Sequence, residues 1–163
     1  MRRLILLRHG KAESVSATGG DFDRCLTERG RRDCALIGRV LAEAGVRPDL
    51  ALVSAAKRAQ ETWEEVQRAF PNTPAETVRG LYLAAPEQIA SAVGTVEETL
   101  CVMVIGHNPG LHEFALALAD SDVIPPGLES YPTAAAVVFR LASDGQAELE
   151  HIFLPREHGG GPT

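Results

Sequence analysis

Apolar residues along the chain fall into short unbroken runs separated by longer, helically spaced sets. Leu4 to Leu7 is a continuous apolar run closed by Arg8, the pattern of a strand buried on both faces. Residues 10–26 are polar and glycine-rich and read as a loop. Thr27 is placed to cap a helix running to about Ala44, with Cys34, Ile37, Leu41 and Ala44 on one face. Gly45 ends that helix and Pro48 follows it. Asp49–Val53 predicts a second strand. Ser54 then stands where an N-cap belongs, before a helix carrying Ala59, Trp63, Val66 and Phe70 and stopping at Pro71. A weak strand around Glu76–Val78 and a helix from Pro86 to about Val96 come next. Leu100 to Ile105 is the clearest buried strand of the chain. Asn108 as cap and Pro109 as first residue predict a helix bearing Leu111, Phe114, Ala115 and Leu118. After the proline-rich loop Ile124–Pro132, Ala134–Arg140 and Ala147–Phe153 flank Ser143-Asp144-Gly145, a hairpin signal.

Strands alternating with helices predict an α/β domain with a mostly parallel central sheet flanked by helices, and antiparallel pairing at one edge. The 163 residues suit one domain over 1–155, a chain long enough to bury roughly two-thirds of its unfolded surface. Residues 156–163, rich in glycine, are expected to form a flexible tail. With 16 Lys+Arg against 22 Asp+Glu, the net charge of −6 disfavours nucleic acid as the main partner. No apolar run is long enough to cross a bilayer. Arg8-His9 cuts the amino-terminal run to four residues, too short for the core of a signal peptide. Cys25, Cys34 and Cys101, odd in number and far apart, read as reduced thiols of a cytoplasmic protein.

Three predicted strands end in polar clusters at their carboxyl ends, where ligands sit in open α/β sheets. The first ends in Arg8-His9-Gly10. The second ends in Ser54, with Arg58 one helical turn beyond. The third ends in Gly106-His107-Asn108-Pro109-Gly110. Each cluster alone has an ordinary structural explanation; together they would place two arginines and two histidines in one crevice of an acidic protein. Arginine forks and free N–H groups at helix starts suit a phosphoryl group. His112 reads as an exposed helix residue outside any zinc motif, and His151 and His158 have no partner in sequence. Cys34 and Cys101 read as core. Cys25, beside Arg24, could be reactive, but an inert thiol is the simpler reading.

Leu7-Arg8-His9-Gly10, Leu26-Thr27-Glu28-Arg29-Gly30, Ser54-Ala55-Ala56-Lys57-Arg58-Ala59-Gln60-Glu61-Thr62 and Gly106-His107-Asn108-Pro109-Gly110 resemble, in family order, the motifs of the histidine phosphatase superfamily. The short chain is similar to its small SixA-type phosphohistidine phosphatases. One departure is Ala55, where the family usually has proline. The resemblance implies a phosphoglycerate mutase-like fold without a large cap. It also implies a phosphatase in which His9 attacks phosphorus while Arg8, Arg58 and His107 clamp the phosphoryl oxygens. Arg24 and the backbone N–H of Asn108 would be further phosphate donors. Water would then release phosphate, and no metal or other cofactor is implied.

The implied substrate is phosphohistidine in a protein, with no membrane partner. The alternatives are a metabolite phosphatase or mutase of the same superfamily, and a phospho-ligand binding module without turnover. Only residues 63–99 lie between Thr62 and the strand from Leu100, which leaves little chain for a lid and favours a large substrate. Alkyl phosphates need a carboxylic acid beside the leaving oxygen. Glu13, Asp21, Asp23 and Glu87 could reach the site, but no spacing singles one out. Phosphohistidine expels an imidazole and needs no such acid, so no one of the four is expected to be indispensable.

Overall fold

The computed structural model describes residues 2–162; Met1 and Thr163, the last residue of the expected tail, lie outside the described residues. The apolar run at the start forms strand β1 (Arg2–Arg8). β2 (Leu50–Ser54), β3 (Ala75–Val78) and β4 (Cys101–Gly106) follow, then the hairpin strands β5 (Ala136–Leu141) and β6 (Ala147–Phe153). They form one sheet in the order β3-β2-β4-β1-β5-β6. β1 pairs with β4, β4 with β2, and β2 with β3, all parallel. β5 is antiparallel to β1 and to β6, so the antiparallel pairing lies at one edge. Helices α1 (Glu28–Glu43), α2 (Lys57–Val66), α3 (Pro86–Gly94) and α4 (Gly110–Ala119) cover the two faces.

Alternation along the strands divides the core in two. Ile5 and Leu7 face α1 and α2 with Ile37, Leu41, Trp63, Val66 and Met103. Leu4 and Leu6 face α3 and α4 with Ile89, Leu111, Phe114 and Phe139. The side chains of Leu4, Ile5, Leu6 and Leu7 are at most 1% exposed, each burial contributing about 1.5–3 kcal/mol. β1 is the spine on which both layers rest.

Thr27 caps α1 as expected, its hydroxyl accepting from Gly30 N at 3.0 Å. Two other expected caps are displaced. α2 begins at Lys57 with Ala56 as its cap, and Ser54 is fully buried at the end of β2. Its hydroxyl accepts from Ala56 N at 3.3 Å but also reaches His107. α4 begins only at Gly110, after Pro109. Asn108 does not cap it, because its side-chain amide donates to Tyr131 O at 2.8 Å instead. The second helix ends at Val66 and a 3-10 turn covers Gln67–Ala69, so Phe70 lies beyond it.

The glycine-rich segment expected as a tail lies against α1. Gly161 N donates to Asp33 Oδ1 at 3.0 Å, and Gly160 N donates to Pro155 O at 2.8 Å. His112 is half-buried rather than exposed, bonded to Leu128 O at 2.7 Å. Cys34 and Cys101 are core residues, as expected.

Close backbone approach fixes the segment after β1. A Cβ on Gly30 would lie 2.1 Å from Lys11 O, and one on Gly10 would lie 2.8 Å from Gly30 O. Helix α1 therefore rests directly on the chain that follows His9. Gly30→Ala should separate them and destabilise the protein by about 1–3 kcal/mol, the usual range for overpacking. Urea unfolding of the two proteins measures this, and an unchanged midpoint would refute the contact.

Candidate active site

Strand register brings the three predicted clusters together. Arg8 pairs with Gly106 across β1 and β4, and Val53 pairs with Ile105 across β2 and β4. The residues that follow these pairs emerge at one end of the sheet. His9 and His107 lie with ring centroids 5.1 Å apart. Ser54 Oγ is 2.7 Å from His107 Nε2. From the first turn of α2, Arg58 extends inward, 2% exposed.

A cavity of about 270 Å³ opens here, lined by Arg8, His9, Arg24, Arg58, His107 and Asn108 among others. All six sequence-predicted site residues therefore share one cavity. Lys11, Asp21 and Leu83 also line it. Of the four candidate carboxylates, Asp21 alone does so. Asp23 accepts instead from Thr18 Oγ1 at 2.7 Å, and Glu87 lines a separate surface depression with Val78 and Gly80. The Glu13 main-chain carbonyl, rather than its side chain, accepts from Arg24 at 2.8 Å.

His9 is held as one tautomer. Its Nδ1 lies 2.8 Å from Gly10 O, an acceptor only, so the ring proton sits on Nδ1. Nε2 keeps its lone pair, which accepts from Arg58 Nε at 3.3 Å. Burial first, then the nearby His107, Arg58 and Arg8, push His9 down to about 3, against the raising effect of the Gly10 bond. An unprotonated nitrogen therefore faces the cavity at neutral pH.

His107 is different. Burial, with Arg58 next, takes it down to about 4, while Asp21 opposes the shift. Its buried Nδ1 has no hydrogen-bond partner. The Ser54 hydroxyl can donate to Nε2 of the neutral ring and accept from it once the ring is charged. A dianion in the cavity would favour that second state.

The remaining cations have anchors. Arg8 Nη1 donates to Tyr131 O at 3.0 Å, leaving the buried Nε unpartnered. Burial and Arg58 lower the Arg8 pKa from its usual value. Tyr131 is fixed in turn by its own hydroxyl, which donates to Leu6 O at 2.6 Å. Arg58 donates twice to Asp21, and Arg24 donates to Asp21 Oδ1 at 3.0 Å. The motif residues of α2 tie the loop to the sheet. Thr62 Oγ1 accepts from Gly10 N at 3.0 Å, and Glu61 Oε1 accepts from Leu26 N at 2.8 Å.

Tyr82 and Tyr131 carry no signal in the sequence. Tyr82 donates to Asp21 and its ring packs against His107 at 5.5 Å, from a segment with no helical or strand periodicity to flag it. Tyr131 lies in the proline-rich loop. In sequence Asp21 is one acidic loop residue of four. Cys25 is half-buried, its Sγ donating to the Asp23 carbonyl at 3.9 Å. Among the described residues no three His, Cys, Asp or Glu side chains cluster as metal ligands, and no helix is long and apolar enough to cross a membrane.

The fold and motifs have counterparts in known proteins. The family model described as histidine phosphatase superfamily (branch 1) matches residues 4–82. A crystal structure from Agrobacterium tumefaciens, described as a phosphohistidine phosphatase SixA, superposes with a TM-score of 0.87 at 31% identity. That comparison covers 94% of this chain and 98% of the other. A structure of the protein histidine phosphatase SixA complexed with tungstate gives 0.83 at 26% identity, covering 95% and 98%. A chloroplastic protein of Arabidopsis thaliana is 27% identical over 94% of this chain and 78% of its own length. With the motifs in order on this sheet, the chain belongs to the histidine phosphatase superfamily.

Proposed function

We propose that this protein is a phosphatase that passes a phosphoryl group through His9 and acts on phosphohistidine in proteins. The observation that carries this reading is the state of His9: Nδ1–H is tied to Gly10 O and a free Nε2 lone pair meets Arg58. Nε2 attacks phosphorus, and the P–N bond to the substrate imidazole breaks with its electron pair returning to that ring, which leaves as neutral imidazole because its other nitrogen has already taken a proton from water. Water then attacks phospho-His9, the second P–N bond breaks, and phosphate leaves. Arg8, Arg58 and His107 bind the non-bridging oxygens, where negative charge is spread. Arg24 and the backbone N–H of Asn108 flank the same cavity as outer donors.

The substrate class follows from the acid the site does not offer. Asp21, the carboxylate of the cavity, is held well below the usual carboxylate range, first by the Tyr82 hydroxyl and then by Arg24 and Arg58. It holds no proton to give at neutral pH. An imidazole leaves without that help, whereas an alkoxide does not. That a SixA relative forms a complex with tungstate, a tetrahedral oxyanion, agrees with a site for phosphoryl groups. Three free cysteines suit a reducing, cytoplasmic setting.

Hydrolysis of a phosphohistidine protein should exceed that of sugar phosphates and phosphoserine in a side-by-side assay. An alkyl phosphate as best substrate would assign the site to metabolites instead. His9→Ala should abolish turnover and acid-labile phosphate on the protein, and residual wild-type activity would end the His9 mechanism. Binding without any turnover of the unaltered protein would identify a binding module.

Arg58→Ala should lower turnover by about two orders of magnitude, as loss of one preorganised donor does. Arg58→Lys should recover only part, because an ammonium lacks the fork. Full recovery would show that charge alone suffices.

Both histidines have folded-state pKa values below that of the unfolded chain, near 6.5. The unfolded chain therefore takes up protons first as pH falls. Their contribution to stability is complete above pH 6.5 and is lost progressively between about 6.5 and the folded values of about 3 and about 4. Thermal melting across pH 7 to 4 should follow this fall, and vanadate should oppose it by favouring charged His107. Ring resonances of His9 and His107 titrating near pH 6.5 without added anion would contradict it.

A further inference from the structure

A guanidinium group presents two edges to its surroundings. One is formed by Nη1 and Nη2, the other by Nε and a single Nη nitrogen. Asp21 occupies the first edge of Arg58. Its main-chain O accepts from Nη1 at 2.8 Å and its Oδ2 accepts from Nη2 at 3.0 Å. The second edge is thereby turned toward His9, whose Nε2 lies 3.3 Å from Nε.

Both carboxylate oxygens of Asp21 are themselves held by donors. Oδ1 accepts from Arg24 Nε at 3.0 Å, and Arg24 is anchored to Glu13 O at 2.8 Å. Oδ2 accepts from the Tyr82 hydroxyl. The Tyr82 ring packs edge-on against His107 and carries the Arg58 guanidinium 5.9 Å from its centroid. Phe22, next in sequence to Asp21, packs edge-on with Tyr82 at 5.0 Å. The Arg58 side chain is 2% exposed while that of Asp21 is 45% exposed. The aim of a buried cation thus depends on one carboxylate at the mouth of the cavity.

We propose that Asp21 is a positioning residue of the phosphoryl site, gripping Arg58 by its Nη1–Nη2 edge so that the Nε edge meets the phosphoryl group beside His9. This rests on the reading of His9 as the attacking residue. It departs from the sequence expectation that none of the four candidate carboxylates is indispensable. Two other roles are disfavoured by the same geometry. Asp21 as an acid would need a proton, which three hydrogen-bond donors on its oxygens oppose. Asp21 as a plug would have to occupy the edge that faces His9, and it occupies the other.

The test uses the full-length protein, the variants Asp21→Ala and Asp21→Asn, and aryl phosphates graded by the acidity of their leaving phenols. Asp21→Ala should lower kcat/KM by about 10²-fold, the scale of a misaligned catalytic group, and by the same factor across the series. Asp21→Asn retains an oxygen for Arg58 and should recover most of that loss, on every substrate alike. Vanadate should bind more weakly to Asp21→Ala.

A loss that grows as the phenol becomes less acidic would make Asp21 an acid and overturn the proposal. Unchanged turnover, or tighter vanadate binding, in Asp21→Ala would overturn it too. Circular dichroism checks the fold, and should Asp21→Ala not fold, the dependence on leaving group in Asp21→Asn decides between the same two roles. Acid-labile phosphate on the unaltered protein is measured alongside. Its absence defeats the reading of His9 and this inference with it; its presence with an unaffected Asp21→Ala defeats the inference alone.

Discussion

Three guanidinium groups and two imidazoles share one cleft in which Arg58 and both imidazoles are buried, and that crowding of potential cations has to be relieved. Charges at hydrogen-bond distance interact far more strongly in a protein interior than in water. The relief takes two forms. Both imidazoles stay neutral, because burial and the neighbouring arginines disfavour their protonation. One carboxylate, Asp21, lies across Arg24 and Arg58 and supplies the opposite charge. On the proposed reading the lone pair of His9 Nε2 is available for attack, and an arriving dianion favours protonation of His107.

Such a site needs a frame that does not yield, and the backbone supplies it. Parallel pairing of β1 with β4 and of β4 with β2 sets three strand ends side by side at a spacing of about 5 Å, so each polar cluster inherits its place from the register. Close packing then removes slack. Gly30 lets α1 rest on Lys11, and Gly110 lets α4 rest on Ala84, where a Cβ would lie 1.8 Å from a carbonyl oxygen. Thr62 links the amide of Gly10 to the Arg58 carbonyl, so the turn after His9 and the helix bearing Arg58 move as one piece. Mispositioning by about 1 Å can cost two orders of magnitude in rate, which is the physical reason for this rigidity.

What is legible in the sequence follows from which signals are local. The run Leu4–Leu7 and the stretch Cys101–Ile105 declare buried strands because burial on both faces leaves an unbroken apolar string, whereas Leu100, expected to open the second, lies exposed just before it. Arg8-His9, Arg58 and His107 follow such strands closely, so knowing the strands nearly places them. Ser54 and Asn108 mislead because a polar residue before a helix has two uses that look alike in sequence. It can cap the helix, or it can turn toward a partner from elsewhere in the chain. Here Ser54 serves His107 and Asn108 serves Tyr131. Asp21 and Tyr82 are obscure for a related reason. They meet across 61 positions of chain, through a short 3-10 turn at Asp21–Asp23 and another at Arg79–Leu81, and neither turn carries a periodicity.

One carboxylate cannot both anchor a guanidinium and protonate a leaving group, because the first task requires the anion and the second the acid. The donors that fix Asp21 also hold it ionised: Tyr82, Arg24 and Arg58 each bind the charged form. On the proposed reading, precision in the clamp is therefore obtained by giving up acid catalysis at that position. The chemistry left to the site is displacement of groups that are stable once expelled. Imidazole, with a conjugate acid of pKa about 6.5, is such a group, and a sugar hydroxyl is not. The choice between a phosphohistidine and an alkyl phosphate is then made by the geometry that aims Arg58, before any contact with the rest of the substrate.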